Sequence, residues 1–141
     1  MKRILPACTL VLVMAGAVGA NDDGGFAYKK AAAVNHLMEY MVKPSMDTVK
    51  AYREAGGPSG KEEWQTAFGA VSMVVEAAQL TLMDGRVKDD PWKQWAEEVV
   101  AAGRDAMLGA YRMDTDGYAK ALKAMSAGCK TCHDVHKKKD E

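Results

Sequence analysis

Near the C-terminus the chain reads Cys129-Lys130-Thr131-Cys132-His133. Two cysteines three apart followed at once by histidine have the spacing of a c-type haem attachment site. On a helix, positions i and i+3 share a face, so two thiols can reach the two vinyl groups of one porphyrin. The adjacent imidazole can then turn toward the iron as proximal ligand. The same residues admit two other readings. A dithiol redox pair usually opens a helix after a strand, whereas this pair follows a helical pattern. A zinc site needs further ligands, and only His36 and His136 remain as histidines outside the motif.

Those residues need positioning elements and an exported context. Met1-Lys2-Arg3 is a basic start, Ile4 to Val18 is almost wholly apolar, and Val18-Gly19-Ala20 offers small residues for cleavage. Residues 1–20 therefore read as a secretory signal peptide, too short for a membrane span. Cys8 would leave with it, and its place before most of the apolar run argues against a lipoprotein site. The mature chain, 21–141, keeps two cysteines, both in the motif, so no structural disulfide is expected in this exported protein. The implied location is the periplasm, with no stable membrane association after cleavage.

About 121 mature residues make one domain with a single core. Losing Lys2 and Arg3 leaves 17 basic against 19 acidic residues, a net charge of −2. That balance does not point to a nucleic-acid partner. The run Lys137-Lys138-Lys139 reads as a solvated tail that would also suit a helix C-terminus and steer an anionic partner.

Four helical segments are predicted after a short leader at 21–25. From Phe26 to Ala55 the residues Val34, Leu37, Met38, Met41, Ser45, Val49 and Tyr52 fall on one stripe at about 100° per residue. Pro44 should kink this helix near residues 40–44. Gly56-Gly57-Pro58-Ser59-Gly60 is a turn, and Ser59 with Glu62 has capping-box spacing for the second helix. That helix carries Trp64, Ala67, Phe68, Val71, Val74, Val75, Ala78 and Leu82, and Asp84-Gly85 ends it. Asp90 before Pro91 caps a third helix, which presents Trp92, Trp95, Ala96, Val99, Val100, Gly103, Ala106, Met107 and Ala110. Asp114 or Thr115 starts the fourth, which shows Tyr118, Ala121, Leu122 and Met125 before the motif. No convincing strand pattern occurs, and the connections are short. The expected fold class is all-α: an antiparallel up-down-up-down four-helix bundle with covalent haem on the C-terminal helix.

A haem motif at the end of such a bundle resembles the cytochrome c-prime family, the class II c-type cytochromes. The likeness rests on Cys129, Cys132 and His133, on Lys137 four residues after the histidine, and on the Leu37-Met38 pair in the first helix. Elsewhere it is architectural. The family often carries a basic residue where Lys137 stands, and the residue facing the distal side of the haem near Leu37-Met38. One branch is five-coordinate, with an apolar distal residue and an open pocket for NO or CO. The other is low-spin, with a first-helix methionine as sixth ligand, and transfers electrons. Dimerisation through the first two helices is common in the family, which makes a homodimer compatible with the resemblance.

The residue opposite His133 can be weighed on the helical wheel. With Val34 at zero, His36 lies at about 200°, facing solvent, while Met38 at about 40° and Met41 at about 340° lie on the stripe. Met46 falls at about 120°, less favourably, and beyond the Pro44 kink. Met38 also matches the family's distal position and is the preferred sixth ligand. The remaining methionines read as adaptable core filler, and Trp64, Trp92 and Trp95 as core or bundle-end aromatics. His136 reads as an exposed polar residue on the last turn, with contact to a haem propionate or to the surroundings of His133 as the functional alternative. The implied function is a periplasmic electron carrier with one covalently attached haem c, serving redox partner proteins. The competing reading is a five-coordinate protein binding NO or CO. Nothing in the sequence suggests a positioned acid and base, so an enzyme is not expected.

Overall fold

The computed structural model describes residues 29–137. The expected signal peptide at 1–20, the expected leader at 21–25, the expected helix start at Phe26 and the lysines 138–139 lie outside the described residues. Within them the chain is helical, with no strand, and four helices pack together. The first, α1, runs through residues 34–54 as three consecutive segments: α-helical Val34–Leu37, π-helical Met38–Val42 and α-helical Lys43–Glu54. Then come α2 (Lys61–Leu80), α3 (Asp90–Arg112) and α4 (Thr115–His136). No described helix is long and apolar enough to cross a membrane.

Residues 29–33 are not helical, so the first helix starts later than its apolar pattern suggests. The expected kink at Pro44 takes the form of a π-helical turn just before it. Proline has no N–H to donate to the carbonyl four residues back, and its ring crowds that carbonyl. Widening the preceding turn relieves both, and Lys43 N–H bonds the carbonyl of Met38 five residues back. Of the expected stripe, Leu37, Ser45 and Val49 are buried, and Val34, Met38, Met41 and Tyr52 half-buried.

Helix ends follow local chemistry with shifts of about one residue. The first helix closes on Gly56 at φ 87°, with Gly57 N–H reaching the carbonyl of Tyr52 at 2.8 Å. This is the six-to-one bond of a Schellman cap, which needs a left-handed residue at Gly56. The expected Ser59–Glu62 capping box does not form: Gly60 is the N-cap, with no side-chain cap, and the Glu63 carboxylate instead accepts from the Ser59 backbone N–H at 2.6 Å and from the Ser59 hydroxyl at 3.0 Å. Asp89, not Asp90, caps α3, accepting from the Trp92 N–H at 2.8 Å. Asp114 caps α4 through Gly117 N–H at 3.0 Å. The same Schellman closure ends α3, but there Met113 holds the left-handed position at φ 56°, a conformation that costs a non-glycine residue about 1 kcal/mol.

The core is built from Val71, Val74 and Val75 of α2, Val99, Val100 and Ala106 of α3, and Tyr118, Leu122 and Met125 of α4, with Val49 from α1. Glycines set the α3–α4 distance. A Cβ on Gly109 would lie 2.8 Å from the Tyr118 backbone nitrogen, and one on Gly128 would lie 3.0 Å from Val99 Cγ2. A Cβ on Gly103 would overlap Val75 Cγ2 of α2 and press on Met125. The first helix packs chiefly on α2 and has no comparable backbone packing with α4.

Two expectations follow. Gly103→Ala should cost about 1–3 kcal/mol, because Val75 is stiff at χ1 and cannot yield cheaply; urea denaturation measures it. Tyr118 is buried edge-on against Trp64 with its hydroxyl unpartnered, and burial, helped by nearby Tyr52, pushes its phenol up from 10.0 to about 12. An unfolded chain ionises this phenol first, so stability should fall as pH rises from 10 through about 12. In Tyr118→Phe that part of the decline should vanish in denaturation curves taken across the same range.

Candidate functional site

The motif occupies the last two turns of α4. Tyr118, Leu122, Met125 and Cys129 follow at spacings of three and four and make its core stripe. Cys132 and His136 continue it. Gly128 lies on the flank that meets α3. His133 lies about 140° round the helix from Gly128, turned away from α3. Ser126, two turns before His133, shares its flank and lines a groove with Leu122, Arg53 and Gly57. Near Ser126 that flank of α4 meets the end of the first helix, and at the motif His133 is exposed.

Cys129 and Cys132 are both free thiols and half-buried. Burial is the main force pushing Cys129 up, reinforced by Cys132 and opposed by a backbone hydrogen bond. Burial also raises Cys132, with the Lys88 charge opposing and Asp89 adding to it. A dithiol oxidoreductase depends on a thiolate of lowered pKa, commonly at a helix N-terminus. Here both thiols are held protonated, at a helix C-terminus whose dipole disfavours a thiolate. His133 is shifted down by partial burial and by Lys137, with Asp134 opposing. Its imidazole is thus held neutral, the form that ligates metal. Lys130 pairs with Asp134 on the solvent side of the same turn. Among the described residues no three His, Cys, Asp or Glu side chains converge as a metal-binding group.

Two free thiols and a neutral imidazole on one helix are the donor set for a covalently held haem. Cys129 and Cys132 are half-buried and His133 is exposed, so all three can be reached from outside the core. The residues present fit the group.

His36 is exposed, as its wheel position suggests, and stacks loosely on exposed Tyr40. Met38 is half-buried at the start of the π turn, Met41 is half-buried, and Met46 packs against the core cluster. The expectation of an exposed His136 is overturned. Its side chain is only 10% exposed. The ring stands edge-on to Trp92 at 5.1 Å and tilted to Trp95 at 5.7 Å. Nε2 comes within 3.3 Å of Asp89 Oδ1, yet it is not aligned as a hydrogen bond and has no partner. Trp92 is itself fixed, donating its indole N–H to the Thr81 carbonyl at 3.1 Å. The last turn of the motif helix is thus wedged against the start of α3 and, through Trp92, the end of α2. The signal available in sequence was the four-residue step from Cys132 to His136, which continues the buried stripe.

No family model matches the chain, and neither a curated protein nor a solved structure matches it.

His136→Ala should lower stability by about 2 kcal/mol by leaving a cavity between the two indoles. His136→Phe should hold or raise it, since a ring is kept and an unpartnered nitrogen is lost. Urea denaturation of both variants separates packing from polarity.

Proposed function

We propose that this chain is a periplasmic mono-haem c-type cytochrome that carries electrons, similar to the low-spin branch of the cytochrome c-prime family. The observation that carries the reading is the end of α4, where two free, half-buried thiols on the core side of the helix are followed at once by an imidazole turned away from α3. Cys129 and Cys132 would hold haem c by thioether bonds, and His133 would be the proximal ligand. Haem c, when bound, supplies a one-electron Fe(III)/Fe(II) couple.

Met38 is the proposed distal ligand. An antiparallel α3–α4 pair is supported by the pairings of Gly109 with Tyr118 and of Gly128 with Val99, and by Trp92 against His136, and the short connections extend that order to an up-down-up-down bundle. Arg53 and Tyr118 line one groove between the first and last helices. Stepping from there at about 1.5 Å per residue, fifteen positions back along α1 and fifteen forward along α4, brings residue 38 level with residue 133. Met38 opens the π turn, and π turns recur at functional sites.

The side chains then divide the work. The imidazole and the Met38 thioether would be the groups that hold haem iron, and an unchanged ligand set would keep reorganisation small. Leu37 and Val49 keep that side apolar. Lys137, one turn past His133, disfavours added positive charge at the iron and so tends to raise the potential. Redox proteins are the proposed partners, and an enzymatic role is not proposed.

One observation favours the other branch. Of the distal pair, Leu37 is the buried member, 5% exposed, while Met38 is half-buried. A leucine wall cannot ligate and would leave the distal side open to NO or CO.

The absorption spectrum of the mature protein decides between them. The electron carrier is expected to be low-spin in ferric and ferrous states and indifferent to CO, and Met38→Ala should turn it high-spin and CO-binding. A high-spin ferrous spectrum that shifts promptly with CO would establish the gas-binding reading instead. No covalent haem after expression with a competent maturation system would sink both.

A further inference from the structure

A buried arginine sits beside the motif end of the bundle with no carboxylate in ion-pair reach among the described residues. Arg86 is 8% exposed. Its Nη1 donates to the Leu80 carbonyl at 2.8 Å and contacts Met83 Sδ at 3.1 Å; its Nη2 donates to the Ala32 carbonyl at 2.8 Å. A guanidinium has five N–H donors. That leaves Nε, which is buried without an acceptor, and one hydrogen on Nη2. Two adjacent donors left over on a guanidinium are suited to the two oxygens of a carboxylate or phosphate.

The surroundings are cationic. Arg86 lines a cavity of about 480 Å³ with Lys30, Ala32, Val34, Gly85 and Lys88. Lys30 donates to the Gly85 carbonyl at 3.0 Å, and Lys88 lies over the Trp92 ring at 5.0 Å. Neither forms an ion pair among the described residues. Three positively charged side chains, one of them buried, line one cavity with no compensating anion among the described residues. Burying a charge unpaired is expensive, and carbonyls satisfy its hydrogen bonds without neutralising it. Lys88 also connects the cavity to the motif helix, since the Trp92 ring beneath its ammonium packs edge-on to His136 at 5.1 Å.

We propose that Lys30, Arg86 and Lys88 form an oxyanion site for a carboxylate or phosphate group next to the cysteine motif. The ligand chemistry has two sources. One is a propionate of haem held at Cys132, an assignment that rests on the haem reading; the other is a free oxyanion, which does not. In either case the occupant neutralises Arg86 and ties residues 30–34 before the first helix to the loop after α2.

Inorganic phosphate is the probe, titrated calorimetrically into the mature apoprotein and into the haem-loaded protein, with thermal unfolding read in parallel. Arg86→Met removes packing bonds as well as charge, so Lys30→Met/Lys88→Met is the informative variant. The apoprotein should bind phosphate and unfold at higher temperature with it, and the double variant should bind about tenfold more weakly, as expected for two lost charged contacts. Binding by the apoprotein but not the haem-loaded form assigns the site to a propionate. Binding by both assigns it to a free oxyanion. If haem cannot be loaded, binding by the apoprotein still supports the site while the haem reading fails. Absence of binding by the apoprotein overturns the proposal, as does equal binding by the double variant. Binding that emerges only in Asp22→Asn/Asp23→Asn overturns it too, because the chain's own carboxylates would then be the occupant.

Discussion

The rotation of the last helix about its own axis decides what the cysteine motif can do. That rotation is set by backbone contact. Gly109 and Gly128 bring α3 and α4 so close that a methyl group at either position would press on the neighbour. Gly103 makes the matching approach from α3 toward Val75 and Met125. A helix held this tightly along one flank cannot turn without losing the seam, because packed interiors tolerate little change of volume. With Gly128 against α3, Cys129 continues the core stripe and His133 falls on the far flank. The thiols become half-buried and stay protonated, and the imidazole is left free of any partner in α3.

The first helix answers to a different constraint. Pro44 forbids an ordinary α-helical bond, and the chain responds with a wider turn over Met38–Val42. A π turn inserts one extra residue into the helical period. Residues on either side of it therefore keep separate faces: Leu37 is buried before it, and Ser45 and Val49 are buried after it. The turn also carries Met38 to the edge of the buried face. The residue with the best claim to meet His133 from across the bundle thus owes its half-exposed position to a proline six residues later.

Much of this was legible in the sequence. Period-3.6 apolar spacing located four helices, and Gly and Asp marked the end of the first helix and both ends of α3 to within about one residue, because capping effects are local. The first helix nevertheless starts at Val34 rather than near Phe26, and α2 stops at Leu80, short of Asp84-Gly85. What was not legible depended on contacts between segments. The wheel assumes uniform twist, so it anticipated a disturbance at Pro44 but not its π form. The Ser59 capping box was misread because Gly60 takes the N-cap position, which leaves Ser59 to donate to Glu63 from outside the helix. His136 was misread because its polarity argues for solvent, whereas the indoles of Trp92 and Trp95, forty residues earlier in the chain, enclose it. Arg86 gave no sequence signal, since its burial depends on the Ala32 and Leu80 carbonyls.

Polar atoms buried without partners are rare in folded proteins, and each marks a place where packing outweighed hydration. The described residues hold three: Tyr118 Oη, Arg86 Nε and His136 Nε2. The tyrosine is the bland case, a ring required by Trp64 whose hydroxyl is carried along neutral. The other two differ in kind, because guanidinium is always charged and imidazole can be. Both meet at the same end of the bundle: Arg86 in the loop before α3 and His136 against the first turn of α3, with Lys88, Asp89 and Trp92 between them. A hydrophobic end-cap would be easier to fold there. Two unsatisfied nitrogens at one end of the bundle leave polar capacity that packing among the described residues does not complete, next to the turn that carries Cys132.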